Sequence, residues 1–185
     1  MIHSWFNVRK AAQVVAFFAH AEGGSINVVK LVKLLYLSDR ENLDRYEFPI
    51  LNDELVSMKH GPVTSATLDC INGAAPESDA WDEFVTDRAN HMVGLAQAFD
   101  DAALDELSEA ELDTLNVVWT QFGSMTKWQI RDWTHDHLPE WEDPNGSSYR
   151  IPYSRVLKFL GKSEASQIEA RIEAEHEIYQ VFANA

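Results

Sequence analysis

The fold of this 185-residue chain depends most on residues 30–63, KLVKLLYLSDRENLDRYEFPILNDELVSMKHGPV. Apolar residues recur in its first half at three- and four-residue spacing, which predicts a helix with a wide apolar face. Asn27 is placed to cap the start of this helix. Phe48-Pro49 is predicted to end it, because the residue before a proline avoids the helical region. A helix this apolar must be covered on most sides, so we predict that it forms the centre of the core.

Asp39 is the unusual residue of this helix, because the spacing places it on the apolar side. A carboxylate there is costly unless it is paired or accepts several hydrogen bonds. The candidate partners are Arg40, Lys59, His60 and the backbone N–H groups around Gly61. Two interpretations stay open, a structural tie between helix and loop or an active-site carboxylate.

The polar residues of the same helix are predicted to form a narrow stripe that reaches water: Lys30, Lys33, Arg40 and Asp44.

A strand is predicted at residues 54–58, followed by a loop at 59–63 in which glycine permits a turn and proline fixes the next residue. Thr64 or Ser65 would then cap a helix through Cys70. Such a loop can bind phosphate at a helix N-terminus, but a rigid strand-to-helix corner is the favoured interpretation because no Walker pattern is present.

The stretch resembles the core motif of the Panacea domain, the SocA-like and phage-associated antitoxin family. Members have a K-L-hydrophobic-Y-hydrophobic-A/S-D-R helix, a Pro-containing turn and a strand that ends in K/R-H/Y-G-P-V. A Thr-His pair, a Pro and a Trp follow further on, and Thr134-His135 with Pro139-Glu140-Trp141 matches them. The resemblance covers residues 8–160. The positions that carry it here are Lys33, Tyr36, Asp39, Arg40, Lys59, His60, Gly61, Pro62, Val63, His135 and Trp141.

The resemblance implies an antitoxin that neutralises a cognate protein toxin by direct binding, with the motif residues in structural or partner-binding roles. In some relatives it implies an adaptor that hands the toxin to a protease. The residues themselves leave a third hypothesis open, an acid–base enzyme that uses Asp39 and His60, with His135 as a further candidate. The absence of a connected nucleophile–base motif weighs against an enzyme, so we expect no catalytic residue and no cofactor.

The charge of the chain is concentrated in one segment. Of a net charge of −15, residues 77–113 contribute twelve acids against the single base Arg88. This balance argues against direct binding to nucleic acid or to a membrane surface and suits a basic protein partner. The alternative is a solvated acidic face that keeps the protein in solution. The candidate toxin-facing residues are Asp82, Glu83, Asp87, Asp100, Asp101, Asp105 and Glu106.

The remaining chain is predicted to be mostly helical. Asn7 is placed to cap a first helix over residues 7–21, and capping-box patterns begin at Ser108 and Thr126. After these come predicted helices at 151–160 and 164–182. No signal-peptide pattern and no run of ~18 apolar residues occurs, so we expect a cytoplasmic protein.

Residues 81–85 and 91–95 are predicted to be two short strands that join residues 54–58 in a small antiparallel sheet, with a helix over 92–99 as the alternative. The predicted fold class is α+β and mainly helical, a bundle around a central apolar helix with a small antiparallel β-sheet. We predict one Panacea-like domain over residues 1–162, to which a C-terminal helix, 163–185, is appended.

His135-Asp136-His137 has the residue types of a metal site but not the spacing, because histidines two apart do not share a helix face. We therefore predict no metal, and a structural role for His135 at the end of its helix. Cys70 is the single cysteine, which rules out an internal disulfide.

Overall fold

The computed structural model describes residues 2–183, apart from the side chains at positions 101, 180, 182 and 183. Within these residues it contains eight α-helices, a short 3-10 helix at Asp101–Ala103 and five short strands. The protein is 53% helical, which confirms the predicted α+β, mainly helical class.

The helices are α1 (Val8–Ala21), α2 (Val28–Tyr46), α3 (Ser65–Ile71), α4 (Ser78–Asp82), α5 (Glu109–Phe122), α6 (Lys127–His137), α7 (Tyr153–Phe159) and α8 (Ala165–Ala183). The strands are β1 (Ser25–Asn27), β2 (Leu55–Met58), β3 (Gly61–Thr64), β4 (Met92–Gly94) and β5 (Tyr149–Arg150).

The predicted central helix is confirmed. Helix α2 packs against α1, α5, α6 and β3, and its leucines at positions 31, 34, 35 and 43 are completely buried. The Asn27 side chain accepts a hydrogen bond from the Val29 N–H at 3.0 Å, as predicted. The helix ends at Tyr46, where Glu47 adopts a left-handed conformation with φ of 58°.

Three other predicted helix caps are also confirmed, whereas the predicted cap at Thr64 or Ser65 is wrong because Thr64 makes no side-chain cap. The Asn7 side chain accepts from the Lys10 N–H. Ser108 and Thr126 each form a reciprocal capping box with the residue three positions later. These caps depend on neighbours in sequence, so local spacing was enough to find them.

The predicted polar stripe on α2 is wrong for its two lysines. Lys30 is 5% exposed and Lys33 is 1% exposed, because α5, α6 and β3 cover that side of the helix. The Lys30 ammonium is paired with Glu22 at 2.6 Å. Arg40 and Asp44 do reach water.

The strands pair differently from the prediction. Strand β2 lies between β3 and β5 in an antiparallel sheet with the order β3-β2-β5. Strand β4, within the predicted strand 91–95, pairs with β1 and places Val93 opposite Ile26. Residues 81–85 do not form a strand, because α4 extends through Asp82 and buries Trp81 against the core. Of the predicted pairing with residues 91–95, the structure keeps an isolated antiparallel bridge between Val85 and Leu95.

The predicted loop at residues 59–63 is also wrong, since β3 begins at Gly61. Lys59 and His60 form a tight turn, and Pro62 lies opposite Ser57 within the β2–β3 hairpin. Strand β3 is at the edge of its sheet, where the missing N–H of a proline is tolerated.

Helix α8 buries Ala165, Ile168 and Ile172 against the rest of the protein and packs beside α7. The domain boundary at residue 162 stays a prediction.

None of the helices in residues 2–183 has the length and apolar character needed to cross a bilayer.

Candidate functional site

Asp39 is completely buried, as its place on the apolar face predicted. Its Oδ1 accepts hydrogen bonds from the backbone N–H groups of Ile50 at 2.9 Å and Leu51 at 2.8 Å. Its Oδ2 has no hydrogen-bond partner among the described residues. Burial raises the pKa of Asp39 to about 7. The carboxyl group therefore fixes the segment after α2 against the helix that precedes it.

The predicted partners of Asp39 were wrong. Arg40 binds Glu140 instead, and Lys59 and His60 are exposed in the turn between β2 and β3. No hydrogen bond joins Asp39 to His60 within the described part of the chain. The physical reason is that the backbone after Pro49 folds back over α2, so that the N–H groups of Ile50 and Leu51 donate to the Asp39 carboxylate in place of the predicted partners.

Asp53 is a second buried carboxylate, which sequence reasoning missed. Its oxygens accept from the backbone N–H groups of Ala66 and Thr67, both at 2.8 Å, and from the Thr67 hydroxyl at 2.7 Å. Asp53 thus caps α3 from outside the helix, and Thr64 makes no side-chain cap. Burial raises the pKa of Asp53 to about 6. Its partners are more than ten residues away, so no local spacing revealed this cap.

Glu140 connects the two family motifs. It is completely buried, and its Oε1 accepts from the Tyr36 hydroxyl at 3.1 Å and from Arg40 Nε at 2.6 Å. Its Oε2 has no partner in residues 2–183. Glu140 lies within the Pro139-Glu140-Trp141 match to the family, but the resemblance implied no role for it. The sequence signal that could have revealed this role was the position of Glu140 between Pro139 and Trp141 of the second motif.

His135 and Trp141 form the other contact of the second motif. Their rings stack with centroids 4.2 Å apart and an interplanar angle of 3°, and Trp141 Nε1 donates to the Met58 carbonyl oxygen at 3.0 Å. Burial lowers the pKa of His135, and the nearby charge of Lys33 lowers it further. The stacking suits the structural role predicted for His135, but its Nε2 is buried without a hydrogen-bond partner among the described residues. Nowhere in the described chain do three or more His, Cys, Asp or Glu side chains form a group that could hold a metal.

The remaining motif residues meet at a cavity of about 570 Å³. Its walls are the first turns of α2, the β2–β3 hairpin and residues 146–148, and it contains Lys33, Lys59, His60, Gly61 and Val63 of the family motif. Lys33 Nζ donates to the Pro62 carbonyl oxygen at 2.8 Å. Burial lowers the pKa of Lys33 to about 7. The site therefore combines an apolar wall with a buried amine.

The candidate acidic residues divide into two groups. Arg9 of α1 pairs with both Glu83 and Asp105, and Asn7 Nδ2 donates to Glu106 at 2.8 Å. These three acids are engaged with the first helix of the same chain, which local sequence could not show.

Asp82, Asp87 and Asp100 are exposed. The side chain of Asp101 lies outside the described residues. The exposed acids that remain are therefore spread over the segment from α4 to the start of the 3-10 helix.

The fold places the two motifs in one structural unit, and comparison with protein families gives the class. A family model described as "Antitoxin SocA-like, Panacea domain" matches residues 31–142. The chain therefore belongs to the SocA-like antitoxin family with the Panacea domain, and the resemblance is confirmed. Searches of curated proteins and of solved structures gave no match.

Proposed function

We propose that the protein is an antitoxin that neutralises a cognate protein toxin by direct binding. The observation that carries this proposal is the family match over residues 31–142. The buried contacts of Asp39 and Glu140 support it, because they hold the fold together and leave recognition to the surface. We further propose that neutralisation requires no catalysis by this chain, since Asp39 is buried and bound to backbone N–H groups, whereas His60 is exposed.

The proposed partner is basic. Asp82, Asp87 and Asp100 are exposed in the most acidic segment of the chain, and complementary charge speeds association and disfavours wrong partners. Glu83, Asp105 and Glu106 are assigned to the scaffold instead, because side chains of α1 bind them.

Co-expression with the protein encoded beside it tests the proposal. We expect that neighbour to arrest growth when it is expressed alone, and growth to recover when both proteins are present. A pull-down from the rescued cells should recover the two proteins together. A toxic neighbour that is neither bound nor neutralised would contradict the proposal.

Matched charge variants test the proposed surface. We expect Asp82→Asn, Asp87→Asn and Asp100→Asn together to slow toxin association about tenfold and to weaken its dependence on salt. The control carries the same charge change at three other exposed acids: Asp136→Asn, Glu164→Gln and Glu177→Gln. Equal association rates in the two triple variants would exclude the acidic segment as the docking surface.

The fate of the toxin distinguishes direct neutralisation from the adaptor hypothesis. If binding alone neutralises the toxin, its cellular half-life should stay unchanged or lengthen when the antitoxin is present. An adaptor should shorten it in cells that contain the protease, and growth should fail to recover when the protease is removed. A pulse-chase measurement of the toxin gives this half-life.

A further inference from the structure

We propose that the cavity between the first turns of α2, the β2–β3 turn and residues 146–148 binds a small apolar carboxylate, with the Lys33 ammonium as its counter-ion. This goes beyond toxin neutralisation, because it assigns the protein a small-molecule ligand. The proposal rests on the lining of the cavity, the charge state of Lys33 and the space beside Gly61.

The cavity has the size and surface of a ligand site. Its volume of about 570 Å³ lies in the range of small-molecule sites, which are mostly apolar with a few placed polar groups. The apolar part of the wall comes from the first turns of α2 and from the side chains that face them: Val28, Val29, Val32, Met58, Val63 and Leu68. An aliphatic or aromatic body would fit against this wall.

The two buried lysines of α2 differ in a way that points to a ligand. The Lys30 ammonium is neutralised by Glu22 at 2.6 Å and also donates to the Gly123 carbonyl oxygen at 2.7 Å. Lys33 is more deeply buried, at 1% exposed, yet its hydrogen bond in the described structure goes to the neutral carbonyl of Pro62. No carboxylate whose side chain the structure describes forms a salt bridge with Lys33. A buried charge without a counter-ion is costly, and a bound carboxylate would supply one.

The backbone at Gly61 leaves room for the Lys33 amine at the cavity wall. A Cβ added at Gly61, whose φ is 99°, would lie 2.9 Å from Lys33 Nζ. Gly61 and Lys33 both line the cavity. The glycine therefore lets the amine lie beside the wall that a ligand would contact.

The cavity also differs from the rest of the protein in charge. The chain has 30 acidic residues, but none of the residues lining this cavity is acidic, and its ionisable residues are Lys33, Lys59 and His60. An anionic group is the one this lining favours electrostatically.

The ionisation of Lys33 gives the binding a proton signature. Because burial lowers the pKa of Lys33 to about 7, much of the free amine is neutral at pH 8. A carboxylate beside it stabilises the ammonium form. Binding at pH 8 should therefore take up a proton from the buffer.

Decanoate and 1-decanol are the probes that test the charge pairing, because they share an apolar chain and differ in the anion. Isothermal titration calorimetry on the full chain should show decanoate binding at least about tenfold more tightly than 1-decanol. Titrations at pH 8 in two buffers of different ionisation enthalpy should show proton uptake with decanoate. Equal binding of the two probes would overturn the proposal.

Three variants separate a ligand site from a structural tie. Lys33→Met should abolish the preference for decanoate, whereas Lys158→Met, at an exposed lysine, should preserve it. Val29→Trp should block binding of both probes, because the larger side chain fills the cavity. This variant keeps Lys33, so it tests the site even if Lys33→Met does not fold. If folded Lys33→Met keeps the full preference for decanoate, Lys33 is not the counter-ion and has only its structural contact with Pro62. If Val29→Trp binds the probes as the parent does, the ligand does not bind in this cavity. Either result would overturn the proposal. Toxin neutralisation is measured separately, so failure here leaves the antitoxin proposal standing.

Discussion

Arg40 Nε lies 2.6 Å from Glu140 Oε1, a contact that spans 100 positions of the sequence. Tyr36 donates to the same oxygen from one turn earlier on α2. The two family motifs are therefore one structural unit, joined at a completely buried carboxylate.

We expect Glu140→Ala to lower the free energy of unfolding by about 3 kcal/mol, because removal of one partner leaves a buried group and a cation unpaired. Urea denaturation monitored by circular dichroism measures this. Tyr36→Phe removes one hydroxyl and should cost about 1 kcal/mol. If Glu140→Ala costs no more than Tyr36→Phe, the contact between the motifs contributes little to stability.

Asp39→Ala should lower the free energy of unfolding by about 3 kcal/mol. Two backbone N–H groups, at Ile50 and Leu51, would lose their acceptor in a buried site, and each unsatisfied group costs about 1–3 kcal/mol. Chemical denaturation checks the loss. Asp136→Ala is the surface control and should stay within about 0.5 kcal/mol of the parent. An Asp39→Ala variant that is as stable as the parent but no longer neutralises the toxin would refute the structural assignment of Asp39.

The sequence predicted features that depend on near neighbours or on helical period. The apolar spacing located α2 and placed Asp39 inside, and the two capping boxes gave the starts of α5 and α6. Each of these features is decided within a few positions of the chain. The burial of Asp39 follows from the face on which it lies, whatever its partner.

The contacts that each buried polar side chain makes depend on how distant segments pack together. The sequence could not show those contacts. Lys30 and Lys33 were expected in water because lysine usually is, yet α5, α6 and β3 cover them. Asp53 received no role because the N–H groups it binds begin 13 positions later. The strand pairing failed for a related reason, since strands of two to four residues carry too little periodic signal to select a partner.

We expect Asp39→Asn to flatten the pH dependence of stability between about pH 4 and 7. Burial raises the pKa of Asp39 to about 7, against about 3.9 for an unfolded Asp. The folded protein therefore binds this proton more tightly, so the free energy of unfolding falls as the pH rises through this window. Asn removes this contribution and keeps an oxygen to accept both N–H groups.

Denaturation at a series of pH values measures this difference. Over the window, the parent should lose on the order of 3 kcal/mol more than the variant, since the pKa is raised by about three units and one unit corresponds to about 1.4 kcal/mol. The raised pKa of Asp53 has the same sign but is present in both proteins, so the difference isolates Asp39. Parallel profiles would show that Asp39 titrates near its ordinary pKa.

Gly61→Ala should be more destabilising than Gly146→Ala by about 1–2 kcal/mol. Both glycines have a left-handed backbone, with φ of 99° and 91°, so both substitutions pay a similar conformational cost. A Cβ at Gly61 would also lie 2.9 Å from Lys33 Nζ, whereas one at Gly146 meets nothing within 4 Å. Thermal and urea denaturation measure the difference. Combining Gly61→Ala with Lys33→Met, which removes the amine, should recover part of it, because Thr134 Oγ1 also lies 3.0 Å from the added Cβ and is still present. Strictly additive losses would contradict a close contact between Gly61 and Lys33.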